Sequence, residues 1–313
     1  MTTLRHRLVP SARRIFLSGA STSTVDNAVL ERLFFKSICL PNGTHKTTSP
    51  NRLTDVDEIL CNHLQSNAPI HLLDVGISSG VTTSELLDRI ESQSHKVTGI
   101  GIDIRLRAYL RSWMGMDILY DEDGYVLQVS AASFVKGRPD RPLVTVRSNV
   151  LQIVLNQIER FLVRRWLRAP QYAIPITLVT PRIADRPGFR IVEQDIRKPF
   201  CECTGSYDVI RAANILNLSY FEPEILKNIV VRLTESLSND GLLVVCRTGE
   251  DGTNHGTIFR KQEGLSALQP ICRIGVGSEI EPLLLIEPDG RLPVRVTGGV
   301  RPAVTQSNGS PRN

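Results

Sequence analysis

Five short apolar runs constrain this chain more than any other feature: Ile70–Val75, Lys96–Ile104, Phe189–Glu193, Tyr207–Arg211 and Leu242–Cys246. Runs of this length, rich in Val, Ile and Leu, predict strands buried on both faces. Helical spacing is found near 26–38, 53–66, 82–92 and 223–237, and Pro223 sits where a first helical residue can lack its N–H. Thr82 and Glu85 have the spacing of a capping box. Strands alternating with helices predict a mostly parallel sheet covered on both faces, with ligands at the carboxyl ends of the strands. Thr257–Lys261 and Glu281–Glu287 are candidates for two more strands, which would make seven.

Composition narrows the function. Hydrophobic residues make up 41% of the 313 and charged residues 22%, as in ordinary globular proteins. Aromatics are only 5%, too few for a broad base-stacking face, so no nucleic acid is expected. No apolar run approaches the ~20 residues of a membrane span. The six cysteines lack paired CxxC spacing, so a zinc site is not indicated and reduced thiols in a cytoplasm are expected. The net charge of +5 is uneven: residues 105–190 carry fourteen basic against seven acidic side chains. That segment suits either an anionic partner or a solvated basic face.

The pattern divides the chain into a flexible basic arm at 1–25, a helical cap at 26–69, a sheet domain at 70–287 and a disordered tail at 288–313. About eighty residues separate the second and third strands, well beyond ordinary connections, and an insertion is assigned to 112–188. Ile118 to Leu127 reads as a hairpin around Asp123-Gly124. Residues 148–168 read as an amphipathic helix with Val150, Leu151, Val154, Leu155, Ile158, Phe161 and Leu162 on one face and several arginines toward its end. Its candidate roles are a lid on its own domain, a homodimer contact, or peripheral contact with an anionic membrane at its inner face.

The loop Asp74-Val-Gly76-Ile-Ser78-Ser-Gly80 admits three chemistries. Its spacing departs from the G-x-G-x-x-G of a dinucleotide site. It matches G-x-S-x-G, but a nucleophile elbow needs earlier strands and an oxyanion loop that the first 70 residues do not supply. The third reading is a cationic nucleoside, whose ammonium and sulfonium suit the carboxylate of Asp74. Asp103, ending the second strand, can accept from two ribose hydroxyls, and Asp195, after the third, from an adenine amine with Ile196 against the ring.

With these acids at successive strand ends, the sequence resembles the class I S-adenosylmethionine-dependent methyltransferases. The resemblance is carried by LLDVGISSG at 72–80, GIDI at 101–104, EQDI at 193–196, YDVIRAANIL at 207–216 and GLLVVC at 241–246. Ser78 stands where that family's loop usually has its middle glycine. The resemblance implies a Rossmann-like α/β fold with a mostly parallel seven-stranded sheet and a large insertion after the second strand. It also implies S-adenosylmethionine as cofactor, with Asp74, Gly76, Ser78 and Gly80 at its methionine side. Asp103 and Ile104 would lie at the ribose, Asp195 and Ile196 at the adenine, and Ala212 and Asn214 near the transferred methyl. Arg211 and Asn214 are candidates for holding an anionic acceptor. Asn214, His255 and Tyr220 are candidates for catalysis. No metal is expected. The expected reaction is O-methylation of a small or lipid-linked acceptor. The alternatives are a protein carboxylate, suggested by partial similarity of the fourth-strand region to chemotaxis-receptor glutamate methyltransferases, or a cofactor-sensing protein without turnover.

Overall fold

The computed structural model describes residues 9–17, 25–64 except 42, 44 and 47, then 68–131, 134–137, 161, 163–166, 172–199, 206–262 and 267–284. Among these lie helices α1 (Ala12–Phe16), α2 (Val25–Ser37), α3 (Thr54–Cys61), α4 (Val81–Ser92), α5 (Pro181–Ala184), α6 (Pro223–Ser236) and α7 (Glu281–Leu284). The strands are β1 (Ile70–Val75), β2 (Val97–Asp103), β3 (Arg107–Trp113), β4 (Met116–Asp121), β5 (Val126–Ala131), β6 (Phe134–Gly137), β7 (Ile174–Thr177), β8 (Phe189–Glu193), β9 (Tyr207–Ala213), β10 (Leu237–Thr248), β11 (Asn254–Lys261) and β12 (Leu268–Ile274).

Seven strands form one sheet in the order β12-β11-β10-β9-β1-β2-β8. From β8 to β10 all neighbours are parallel, while β11 runs antiparallel to both β10 and β12. The apolar runs predicted as doubly buried strands take the centre. Helices α3, α4 and α5 cover one face through Leu60, Leu86, Ile90 and Ile183. Helix α6 covers the other through Leu226, Ile229 and Leu233. This is the expected Rossmann-like α/β arrangement, a mostly parallel seven-stranded sheet with helices on both faces. Close packing of β1 on β2 depends on Gly99, where a Cβ would stand 2.0 Å from the Leu72 carbonyl oxygen.

Several boundaries differ from those read in the sequence. The last strand is Leu268–Ile274, and Glu281–Leu284 is a helical turn rather than a strand. Helix α4 starts at Val81 after a left-handed Gly80. The capping box does not form, because Thr82 is buried and the Glu85 carboxylate accepts from the Asn51 N–H at 2.9 Å. The N-terminal arm is not free where it is described. Ser11 caps α1, Ala12 is buried, and Arg13 pairs with Asp117 at 2.7 Å.

The insertion builds its own antiparallel sheet, β6-β5-β4-β3-β7, which begins at Arg107, ahead of the assigned boundary. The predicted hairpin is present as β4 and β5, with Gly124 at φ 82. One face of this sheet takes Phe34, Phe35 and Ile38 of α2 and its exit, with Ala12 of α1. The helical cap is thus divided: α2 belongs to the inserted sheet and α3 to the main one. Most of the amphipathic helix at 148–168 lies outside the described residues. In its described part, Val163 and Trp166 pack on the other face of the inserted sheet, while Phe161, expected on the packing face, is 66% exposed. A helical face turns about 100° per residue, so Val163 and Trp166, three apart, share a side that Phe161 does not. The 1–8 segment, Cys201, Cys203 and the 288–313 tail also lie outside the described residues.

Candidate functional site

The chain runs β1 to β2 to β8 toward one edge, then β9 to β10 toward the other. The sense of winding therefore reverses between β1 and β9, and a crevice opens at their carboxyl ends. The residues predicted to form a site all lie at or near this end, but they do not converge as expected.

Asp74 is the clearest departure. Its carboxylate is buried and held by both edges of the Arg211 guanidinium, Nε to Oδ1 at 3.1 Å and Nη2 to Oδ2 at 2.6 Å. The remaining Nη1 donates to Asp57 Oδ1 on α3 at 2.9 Å. Arg211 lies opposite Asp74 in the β1–β9 register, so both side chains project to one face of the sheet. Burial raises the Asp57 carboxyl to about 6, against the pull of Arg211. The same burial opposes the Arg211 charge, but Asp74 and Asp57 outweigh it and raise its pKa. Neither Asp74 nor Arg211 is presented to a ligand. The expected contacts of Asp74 with an ammonium and of Arg211 with an anionic acceptor are replaced by a buried ion triad that fastens α3 to the sheet.

The loop after β1 is built around Asp103. Gly76 N and Ile77 N both donate to the Ile102 carbonyl, carrying the loop over the end of β2. Ser78 N then donates to Asp103 Oδ2 at 2.7 Å. Gly76, Ser78 and Gly80 have φ values of 71, 54 and 74. Ser78 thus takes the left-handed conformation that a glycine adopts without cost. A Cβ on Gly80 would meet Ile183 Cγ2 at 2.8 Å. Ser78 also opens the hydrolase question, but among the described residues no histidine bonds to it.

Sequence reading missed Lys46. Its ammonium is 3.1 Å from the Ser78 carbonyl and 3.7 Å from Asp103 Oδ2, with the side chain 2% exposed. Burial lowers its pKa, against the attraction of Asp103 and Glu193. A lysine in a Thr- and Ser-rich loop reads as solvated, so the sequence carried no signal for it. The other Asp103 oxygen accepts from Arg105 N at 3.2 Å.

Asp195 is closed by Arg197, whose Nη2 lies 2.7 Å from Oδ2. That pairing, ahead of the burial that opposes it, lowers the Asp195 carboxyl. Ile196 is buried in the core beside Ile100 and Ile102, and Ala212 is buried in mid-sheet. Neither side chain is open to a ligand. Ile104 is 43% exposed next to Asp103.

Asn214 and His255 fall in one neighbourhood at the ends of β9, β10 and β11. Asn214, at φ 60, donates its N–H to the Cys246 carbonyl, and its Oδ1 accepts from Thr248 N at 2.8 Å. Thr248 Oγ1 donates to Asn254 Oδ1, next to His255. His255 Nδ1 accepts from Val276 N at 3.3 Å, so the lone pair of that ring nitrogen is engaged within the chain. Arg247, opposite His255 in the ladder, reaches Glu279, which also accepts from Leu218 N. Tyr220 is exposed on the adjoining loop.

The crevice retains polar groups that the chain does not satisfy. Thr48 Oγ1, Arg52 Nε, Ser79 Oγ, Thr83 Oγ1 and Asn214 Nδ2 are buried without a hydrogen-bond partner. They lie on the loop after β1, the start of α4, the end of β9 and the strap before α3. Among the described residues no cluster of three or more His, Cys, Asp or Glu could hold a metal, and no helix is long and apolar enough to cross a membrane. A depression lined by His63, Asp208, Asp240 and Arg260 lies at the opposite, amino-terminal end of the strands.

Comparison with known proteins finds no matching protein family and no matching curated protein. Solved structures with a similar fold include phosphoethanolamine N-methyltransferase 1 of Haemonchus contortus, bound to phosphoethanolamine and S-adenosylhomocysteine. It is 10% identical, with 64% of this chain and 26% of that one covered, at a TM-score of 0.30. N-methyltransferase NodS of Bradyrhizobium japonicum, with S-adenosylhomocysteine, is 13% identical, with 63% of each chain covered and a TM-score of 0.30. The 1,6-didemethyltoxoflavin-N1-methyltransferase of Burkholderia thailandensis is 14% identical, with 68% and 58% covered and a TM-score of 0.31. The chain spans between 26% and 63% of the length of the first two.

Proposed function

We propose that the chain binds S-adenosylmethionine in the β1–β9 crevice and transfers its methyl group to a small-molecule acceptor. The observation that carries this reading is the loop of Gly76, Ser78 and Gly80 folded onto Asp103 through the 2.7 Å Ser78 N–H contact. That contact aims the carboxylate at the loop, where ribose hydroxyls can donate to it. Asp103 is partly exposed, so a ligand can reach it; Asp74 is not. The cofactor supplies an activated methyl on a sulfonium, and the protein's part is orientation and exclusion of water.

The acceptor would lie near Asn214, His255 and Tyr220. Among the described residues of this mouth, His255 Nδ1 accepts from Val276 N and the Glu279 carboxylate from Arg247 and Leu218 N, so both candidate bases are already engaged. An oxygen already deprotonated at neutral pH, as in a carboxylic acid or an acidic phenol, needs none. That favours an anionic acceptor oxygen, and Arg247 is the exposed cation beside it.

Calorimetry with S-adenosylmethionine and S-adenosylhomocysteine tests the first step. Micromolar binding is expected, weakened more than tenfold in Asp103→Ala. No heat with either nucleoside would sink the reading. Labelled cofactor with a cell extract then locates the methyl.

A second reading, a cofactor-sensing protein without turnover, is favoured by a specific observation: Asp74, Asp103 and Asp195 each face a basic side chain of the same molecule. Binding of the nucleoside with no label in any fraction of the extract would select it.

A further inference from the structure

We propose that Lys46 is an affinity determinant of the crevice, an internal competitor whose ammonium occupies the face of Asp103 that a ribose would use. The proposal rests on the cofactor reading above. Asp103 has two oxygens, and the chain already engages both: Oδ1 by Arg105 N, Oδ2 by Ser78 N and the ammonium. The backbone donors belong to the turns that shape the site. The ammonium comes from a strap 57 residues earlier, outside either turn, and also donates to the Ser78 carbonyl oxygen at 3.1 Å. Among the described residues it is the Asp103 partner carried on a flexible side chain, whose four-carbon stem lets the ammonium leave the carboxylate without breaking either backbone bond to Asp103.

The strap itself is anchored independently of Lys46. His45 pairs with Cys39 in a short bridge, and its Nδ1 lies 2.9 Å from the Ile38 carbonyl oxygen. Ile38 follows α2 and is buried against the inserted sheet. Helix α2 also reaches the loop from the other side, with Glu31 accepting from Thr180 Oγ1 and Thr180 N donating to the Ser79 carbonyl. The ammonium is therefore delivered to Asp103 by a scaffold that stays in place when the side chain swings away. A ligand hydroxyl must displace it, which lowers apparent affinity for any ribose-bearing ligand by the cost of freeing the carboxylate.

The test is calorimetry of the full chain with S-adenosylhomocysteine and, separately, with adenosine, which carries the ribose but no amino-acid end. Lys46→Met keeps the apolar stem and removes the charge; Lys46→Gln is the second variant should the first fold poorly. Both are expected to bind each probe at least tenfold more tightly than the natural chain, and Asp103→Asn added to Lys46→Met is expected to abolish the gain. Equal or weaker binding by the Lys46 variants would overturn the proposal while leaving the cofactor reading intact. A gain with S-adenosylhomocysteine but not with adenosine would also overturn it, by placing Lys46 elsewhere on the ligand. Absence of binding by every form would overturn the cofactor reading, and the proposal with it.

Discussion

Arg211 of β9 grips Asp74 of β1 with two parallel N–H donors, at 3.1 and 2.6 Å, in the middle of the sheet. Two residues assigned to different ligands are each other's partner. Breaking such a pair from one side leaves charge buried without compensation. Arg211→Met is expected to lose about 3–5 kcal/mol of stability, read from denaturant midpoints. If Arg211 served an acceptor instead, the variant would fold normally and lose only turnover.

Asp57 gives that triad a dependence on pH. Its carboxyl stands at about 6 in the folded chain, against 3.8 for the ordinary group. Between those values the folded state holds a proton that the unfolded state has released. Stability contributed by this group therefore falls as pH rises from about 4 to about 6. Asp57→Asn should be relatively more stable at pH 7 than at pH 4.5 when each is compared with the natural chain. A constant difference between the two conditions would show that Asp57 does not titrate there.

Ser78 holds a left-handed backbone, φ 54, between two glycines that hold it more cheaply. Ser78→Gly is expected to leave stability unchanged or raise it by up to about 1 kcal/mol. Ser78→Val should cost about 1–2 kcal/mol. Since the bond to Asp103 comes from the backbone N–H, the glycine variant should keep its cofactor affinity in calorimetry.

In the insertion, Trp166 and Phe161 make opposite predictions. Trp166 is buried against Tyr120, with the Arg111 guanidinium 4.9 Å from its ring centre. Trp166→Ala should cost about 3–5 kcal/mol. Phe161→Asp, at an exposed position, should change stability by less than about 0.5 kcal/mol. Thermal melts of the two variants separate the packing side of this segment from its open side.

The sheet was legible because doubly buried strands announce themselves: Ile70–Val75 and Phe189–Glu193 have the predicted bounds, and β2 and β9 differ by at most two residues at an end. β12 was not, since Pro270 and Arg273 interrupt its apolar pattern, a composition tolerated at a sheet edge. Glu281–Glu287 looked like a strand because its four-residue apolar stretch, Leu283 to Ile286, has no period to read. For the crevice, the sequence located carboxylates at strand ends but could not say what they face. Asp74 and Arg211 are 137 residues apart, and nothing local distinguishes an acid that awaits a ligand from one already paired. Lys46 was invisible for the same reason, its partner being set by where a loop lands.

The division of the N-terminal helices between the two sheets has a consequence for synthesis. Ala12 N donates to the side chain of Gln128, 116 residues further along. At roughly 5–20 residues per second, translation leaves α1 waiting on the order of ten seconds for that glutamine. During that interval Phe34 and Phe35, which end up fully enclosed, can pack on Phe16 and on each other but not yet on the inserted sheet. The faces that α1 and α2 present to the inserted sheet are thus sheltered only once β3, β4 and β5 have been made.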